Sequence, residues 1–220
     1  GIQMHARPAL VKEIIRRGHA VGNHTYTHAR NPDQYVAEEE LKNWHNLFKD
    51  ITKRSTGLFR PPFGNLKSAY SSAALKAGYP LILWTNTGAD TSKHINAEKV
   101  YKAVMEQLKP GDIVLLHDSK DKQHTATALP NIIKSIRDEG YSFVTVPEML
   151  KEWSDGYDVV YGQRRKRSGE AISKLVFAFA FYRIFERIAG LKVPRDTGDF
   201  RLMDRRAVDA LQSLREHHRF

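Results

Sequence analysis

Cysteine is absent from all 220 residues. That excludes disulfides, thiolate metal sites and cysteine nucleophiles, and it fits any redox compartment. Long apolar runs are missing too. The longest, LVFAFAFY from Leu175 to Tyr182, falls far short of the ~20 residues that cross a bilayer, so no transmembrane helix is expected. The opening GIQMHARPAL has no apolar segment of the length a secretory leader needs. It also starts in mid-pattern, without an initiator methionine. There is no internal repeat and no low-complexity tract. Acidic residues are outnumbered, and the net charge is +10. A basic balance suits nucleic acid, lipid phosphate or sugar nucleotides without choosing among them, and suits a plain basic surface equally. No nucleic-acid motif accompanies it, so no nucleic-acid partner is expected.

What is present reads as a globular α/β chain. Hydrophobic residues make up 41%, enough for a real core. RPALVKEIIRRG predicts a helix, with Pro8 in its first turn and Gly18 as its stop. PDQYVAEEELKNWHNLFKDITKRSTG predicts a long amphipathic helix ending at Gly57. Its apolar face is Tyr35, Leu41, Trp44, Leu47, Phe48 and Ile51. LKSAYSSAALKAG, NAEKVYKAVMEQLKPG, ALPNIIKSIRDEG and PEMLKEW predict further helices. HAVGN, LFR, YPLILW, DIVLLHD and YSFVTV predict short strands between them. Helices alternating with apolar strands imply a parallel sheet. In such folds chemistry gathers at the C-terminal strand ends. His24, His28, Arg60, Asp90 and His117 all follow predicted strands, and are expected on one rim.

Three strings carry the candidate chemistry. In GHAVGNHTYTH, His24 and His28 share a face if the chain after Asn23 is helical. At that spacing two imidazoles can hold a metal, or can be ordinary residues of a helix start. In FRPPFG, two prolines and Gly64 make a rigid turn, which is either purely structural or aims Arg60 and a backbone N–H. In VLLHD, His117 is either a capped core histidine or a general acid or base, because imidazole ionises near 6.5. Asp90, in GAD, is either a turn residue or the partner that sets the His117 tautomer.

The order GNHTYTH, RPPFG, LILWTNTGAD and LLHD resembles the NodB-type polysaccharide deacetylases, carbohydrate esterase family 4. The likeness covers roughly residues 1–150. It implies a distorted (β/α) barrel, incomplete here, and a divalent metal, usually zinc. The implied activity is hydrolysis of the acetamide of an N-acetylated oligo- or polysaccharide. By resemblance His24 and His28 are metal ligands. Arg60 orients the catalytic carboxylate, and Phe63 lends its N–H to the oxyanion. His117 protonates the leaving amine, Asp90 tunes it, and Leu115 lines the acetyl pocket. The family's first motif carries the base aspartate and the third ligand. It is expected ahead of residue 1, and no Asp-Asp pair occurs in the chain, so impaired turnover is expected. Thr87 and Thr91 stand where the family often has Asp and Trp, which alters the substrate groove.

Residues 154–220 carry a second resemblance. GYDVVYGQRRKRSGE and the later DTGDFRL are similar to family 2 glycosyltransferases that act on polyprenyl or dolichyl phosphate. This implies a partial GT-A-like α/β fragment. Arg164, Asp199 and Arg201 would lie near phosphate, the DTGDFRL loop would border the site, and an aromatic helix would run from Ile172 to Ile188. That family's nucleotide-binding half, with its Asp-x-Asp motif, has no counterpart before residue 154. The organisation expected is therefore a deacetylase domain over 1–152 and a transferase-like segment over 153–220, a chimera or a truncated fusion. The leading function is metal-dependent N-deacetylation. The alternatives are a lipid-phosphate glycosyltransferase fragment and an inactive basic scaffold, with anionic lipid phosphate as a further partner. The two resemblances imply opposite locations: the cell envelope outside the membrane for the first, the cytoplasmic membrane face for the second.

Overall fold

The computed structural model describes residues 1–154, 159–163 and 197–203. The chain divides into two compact units, Gly1–Leu83 and Trp84–Phe220. This division does not follow the 152/153 boundary read from the sequence.

In the first unit, α1 (Ile2–Ala6) precedes α2 (Pro8–Arg16), whose Pro8 sits in the first turn where no N–H is needed. Helix α3 (Gln34–Thr52) is capped by Asp33, whose side chain accepts from the Val36 N–H at 2.8 Å. It stops before the expected Gly57. The Thr52 hydroxyl donates to the Phe48 carbonyl and accepts the Arg54 N–H, which draws the backbone off the helical ladder. Lys53 then turns left-handed at φ 57°. Ala37, Leu41, Trp44 and Phe48 form the buried stripe. Tyr35 does not join it and is 74% exposed. Two residues before Ala37, it lies about 200° around the helix.

Ala37 and Leu41 pack with Phe59 and with Tyr70, Ala73 and Ala74, the last three from α4 (Ala69–Lys76). Trp44 and Phe48 pack with Met4, and with Val11 and Ile15 of α2. The predicted strands contract to single parallel bridges, Asn23 to Phe59 and Phe59 to Leu81. Asn23 is fully buried, and its side-chain amide donates to the Leu41 carbonyl at 3.0 Å. That bond ties the central bridge to α3.

In the second unit, β1 (Asn86–Thr87) pairs in parallel with β2 (Val114–Leu115). Helix α5 (Ala97–Met105) is capped by Asn96, which accepts from the Lys99 N–H at 2.9 Å. Its Val100 and Val104 pack on Ala128, Ile132 and Ile136 of α6 (Gln123–Asp138), with Val114 and Leu116 against them. Buried Asn86 donates to the Val104 carbonyl at 3.0 Å, the same device as Asn23 on Leu41. Helix α6 starts earlier than the predicted ALPN. Pro130 is therefore internal, and the ladder loses the bond it would have given Ala126.

The predicted strand YSFVTV is not one. Gly140 turns at φ 85° after α6, no strand among the described residues pairs with the segment, and Phe143 and Val144 are exposed. Helix α7 (Val146–Ser154) follows. Beyond it, β3 (Val159–Gln163) pairs antiparallel with β4 (Thr197–Met203). DTGDFRL, expected as a loop, therefore falls almost wholly on a strand. The register breaks opposite Gly162, between the Tyr161–Arg201 and Gln163–Thr197 pairs, and this places Asp199 in the irregularity. Arg164 and Ile172–Ile188 lie outside the described residues. Among the described residues no helix is long and apolar enough to cross a membrane.

Candidate active site

The histidine segment is a pinned loop, not the helix face that the four-residue spacing suggested. Thr25 and His28 are both left-handed, at φ 68° and 60°. Polar side chains hold the loop in that shape. The Asn23 carbonyl oxygen of the side chain accepts the Thr25 N–H, and the Thr25 hydroxyl accepts the His28 N–H. From α3, the buried Glu40 carboxylate accepts the Tyr26 and Thr27 N–H groups and the Thr27 hydroxyl. Charge-assisted bonds of this kind are strong, and left-handed backbone at non-glycine residues needs such support.

The loop brings the His24 and His28 rings edge to face, with centroids 4.8 Å apart. His24 Nδ1 lies 2.6 Å from the Arg60 carbonyl. A carbonyl only accepts, so the proton is on Nδ1 and the ring lone pair is on Nε2. Carbonyl-oriented imidazoles are typical metal ligands. Among the described residues no group of three His, Cys, Asp or Glu side chains could hold a metal. The two imidazoles offer at most two nitrogen donors, and a metal bound there would need its remaining ligands from water or from beyond the described residues.

Arg60 and Phe63 flank this pair. The Arg60 guanidinium donates to the Ile82 and Leu83 carbonyls at 3.2 and 3.3 Å. Burial lowers its pKa from the ordinary value. Pro61 and Pro62 are buried, and Phe63 is left-handed at φ 60°. The Phe63 ring is exposed and meets His28 edge-on at 4.7 Å.

The second unit holds the other cluster. Asp90 is 1% exposed. Its Oδ1 accepts from His117 Nδ1 at 2.8 Å, and its Oδ2 accepts the His117 N–H at 2.6 Å and the Thr125 hydroxyl at 3.0 Å. Burial alone would raise the Asp90 pKa. The bonds from the His117 backbone, the His117 ring and Thr125, with the His117 charge, outweigh it and hold the carboxyl below its usual range. The His117 side chain remains 43% exposed. A buried anion fixes one side of the ring and the other meets solvent, the arrangement of a proton donor. Gly88 lets the chain pass beneath Asp90's strand end, since a Cβ there would meet Leu116 at 2.4 Å. Leu115 alternates with Val114 and Leu116, which pack on the core, and so faces the opposite side of β2.

The family model for polysaccharide deacetylase matches residues 1–82. A peptidoglycan-N-acetylglucosamine deacetylase of Bacillus cereus is 35% identical over 155 residues, covering 69% of this chain and 72% of that protein. The chain belongs to the polysaccharide deacetylases. A solved family-4 carbohydrate esterase pseudoenzyme from Bacillus anthracis matches with a TM-score of 0.59 and 25% identity. That match covers 67% of this chain and 52% of the other, so the chain spans about half the length of that relative. This deacetylase chain also has a relative of another kind. An uncharacterized glycosyltransferase of Synechocystis sp. is 45% identical over 75 residues, or 34% of this chain and 24% of that protein.

Thr125 and His124, whose Nε2 bonds the Asp90 carbonyl at 3.0 Å, precede the predicted helix ALPNIIKSIRDEG and are not singled out by the sequence; the first turns of α6 carry both to Asp90. Glu40 sits on the long polar helix like any solvated glutamate, and only its burial marks it out.

The Asp90 shift has a consequence for stability. Its pKa is depressed by folding, so its contribution is present above the unfolded value, near 3.9, and is lost as pH falls through the lower folded value. Asp90→Asn should therefore be less stable than the wild type at neutral pH, and the gap should begin to narrow below about pH 4 and close only beneath the depressed folded value. Urea unfolding at a series of pH values checks this. A gap unchanged from neutral to strongly acidic pH would contradict the assignment.

Proposed function

We propose that this deacetylase chain hydrolyses the acetamide of N-acetylated sugars in a polysaccharide such as peptidoglycan, using a divalent metal, zinc by preference. The observation that carries the reading is the buried Asp90 carboxylate holding the half-exposed His117 ring, in a chain 35% identical to a named peptidoglycan deacetylase.

Amide hydrolysis makes three demands. The carbonyl carbon must become attackable, the attacking water must give up a proton, and the leaving amine must receive one. Among the described residues none is assigned to take the water's proton, so slow turnover is expected. When bound, the metal would supply Lewis-acid polarisation and a water of lowered pKa. His24 and His28 would hold it, and the Arg60 carbonyl keeps the His24 ring turned for that task. The Arg60 guanidinium anchors the proline turn to the Ile82 and Leu83 carbonyls, and the Phe63 N–H would donate to the developing oxyanion. His117 would give the proton on Nε2 to the leaving nitrogen, keeping Nδ1–H on Asp90. Leu115 would line the acetyl pocket.

We read residues 1–152 as the deacetylase part and 153–220 as a segment of glycosyltransferase descent. The 45% identity to a glycosyltransferase supports the second assignment. Arg164, Asp199 and Arg201 would then be its phosphate-facing residues. A peptidoglycan substrate implies the cell envelope as the place of action.

Acetate release tests the reading. Peptidoglycan fragments and acetylated chito-oligosaccharides should both yield acetate in the presence of zinc. Release should stop on chelation and return on adding zinc. If the wild type releases no more acetate than His24→Ala, the reading fails.

A further inference from the structure

Arg30 is an exposed cation on the histidine loop, and what sets it apart from other unpaired basic residues of its unit is the aromatic ring beneath it. Arg16 and Arg17 pair with Glu13, Lys42 with Glu39 and Lys76 with Glu38. Arg30 makes no ion pair and no hydrogen bond among the described residues. Its guanidinium carbon stands 4.7 Å from the centroid of the Phe63 ring. That same ring meets His28 edge-on at 4.7 Å. One exposed aromatic side chain thus joins the guanidinium to the histidine pair.

The backbone on either side of Arg30 is fixed. Thr27 is held by Glu40, and the His28 N–H by the Thr25 hydroxyl. The Ala29 carbonyl accepts from the Tyr70 hydroxyl at 3.2 Å, and Asn31 turns left-handed at φ 48°. A guanidinium carbon over a ring centroid is a cation–π contact, which leaves N–H donors of the guanidinium available to a further partner. Those donors form a planar fork that matches a carboxylate by two parallel hydrogen bonds. A fork already held by a ring loses less side-chain freedom on binding than a solvated one.

We propose that Arg30 is a specificity residue that binds a carboxylate carried on the N-acetylated glycan, beside the sugar held at His24 and His28. The inference rests on the deacetylase reading above. It makes the preferred substrate an acidic glycan, such as one whose alternate sugars bear a lactyl carboxylate, over a neutral one.

The test measures binding by calorimetry with zinc present, on wild type, Arg30→Gln and Arg30→Lys. The ligands are a muramic-acid-containing N-acetylated fragment, the same fragment with its carboxyl groups amidated, and a neutral acetylated chito-oligosaccharide. Arg30→Gln should lose about tenfold in affinity for the acidic fragment, the range of one charge-assisted pair, and nothing for the other two. Arg30→Lys should fall between, because it keeps the charge without the fork. Unchanged binding of the neutral ligand shows that the variants are folded. Equal weakening of all three ligands, or no weakening of any, overturns the proposal and leaves the deacetylase reading standing. If none of the ligands binds the wild type, that reading fails and the proposal falls with it.

Discussion

His24→Ala should lower zinc affinity by more than about 100-fold, because even partners that only orient a ligand are worth 10- to 100-fold. The argument starts from the tautomer. The Arg60 carbonyl accepts the His24 Nδ1 proton at 2.6 Å, so the ring offers its lone pair at Nε2 alone. The loop then sets that ring against His28 at 4.8 Å. Two imidazoles fixed in this way need no ordering when a cation arrives. Removing one leaves a single imidazole, which any exposed histidine could supply. His19→Ala, which deletes an exposed histidine outside the loop, is therefore the matched control. Zinc titration against a competing chelator reads both variants. Equal affinities in the two would mean that the paired rings are not the binding site.

The loop also marks the limit of what the residue string could tell. Helix stops and starts with a local cause were legible: Pro8 and Gly18 act through their own backbone, and Asn96 through a side-chain oxygen that reaches the first turn. The histidine geometry was not, because its cause is distant in the chain. Glu40 comes from the next helix and fixes Tyr26 and Thr27. Without that clamp, four-residue spacing suggests a helix face. The end of α3 differs from the expected one for a subtler reason. Gly57 is the better stop signal, but the Thr52 hydroxyl captures the Phe48 carbonyl first. The strands were visible as apolar runs, yet apolarity does not fix the length of a ladder. Among the described residues 1–154, bridging geometry is kept at Asn23, Phe59 and Leu81 and in the two-residue pair of β1 and β2. YSFVTV carries the composition of a strand, yet no strand among the described residues pairs with it. The family likeness, by contrast, needed only residue order, and 35% identity over 155 residues supports it.

His117→Gln should lower kcat for acetate release by about 10²- to 10⁴-fold, the range of general acid–base catalysis, with KM little changed. The ring is placed by one carboxylate at two points, its Nδ1 and its own backbone N–H. Thr125 takes up more of the same carboxylate. Asp90 thus fixes the orientation of the ring, so Asp90→Asn should lose turnover through His117 and not independently. The double variant distinguishes this from a merely structural aspartate. If Asp90 acts only through His117, then Asp90→Asn in the His117→Gln background should cost little further rate. Zinc affinity should stay at the wild-type value in all three variants, which separates proton delivery from metal retention. Additive losses would make Asp90 a general support of the fold. A His117→Gln enzyme within a few-fold of wild type would remove the ring from the proton path.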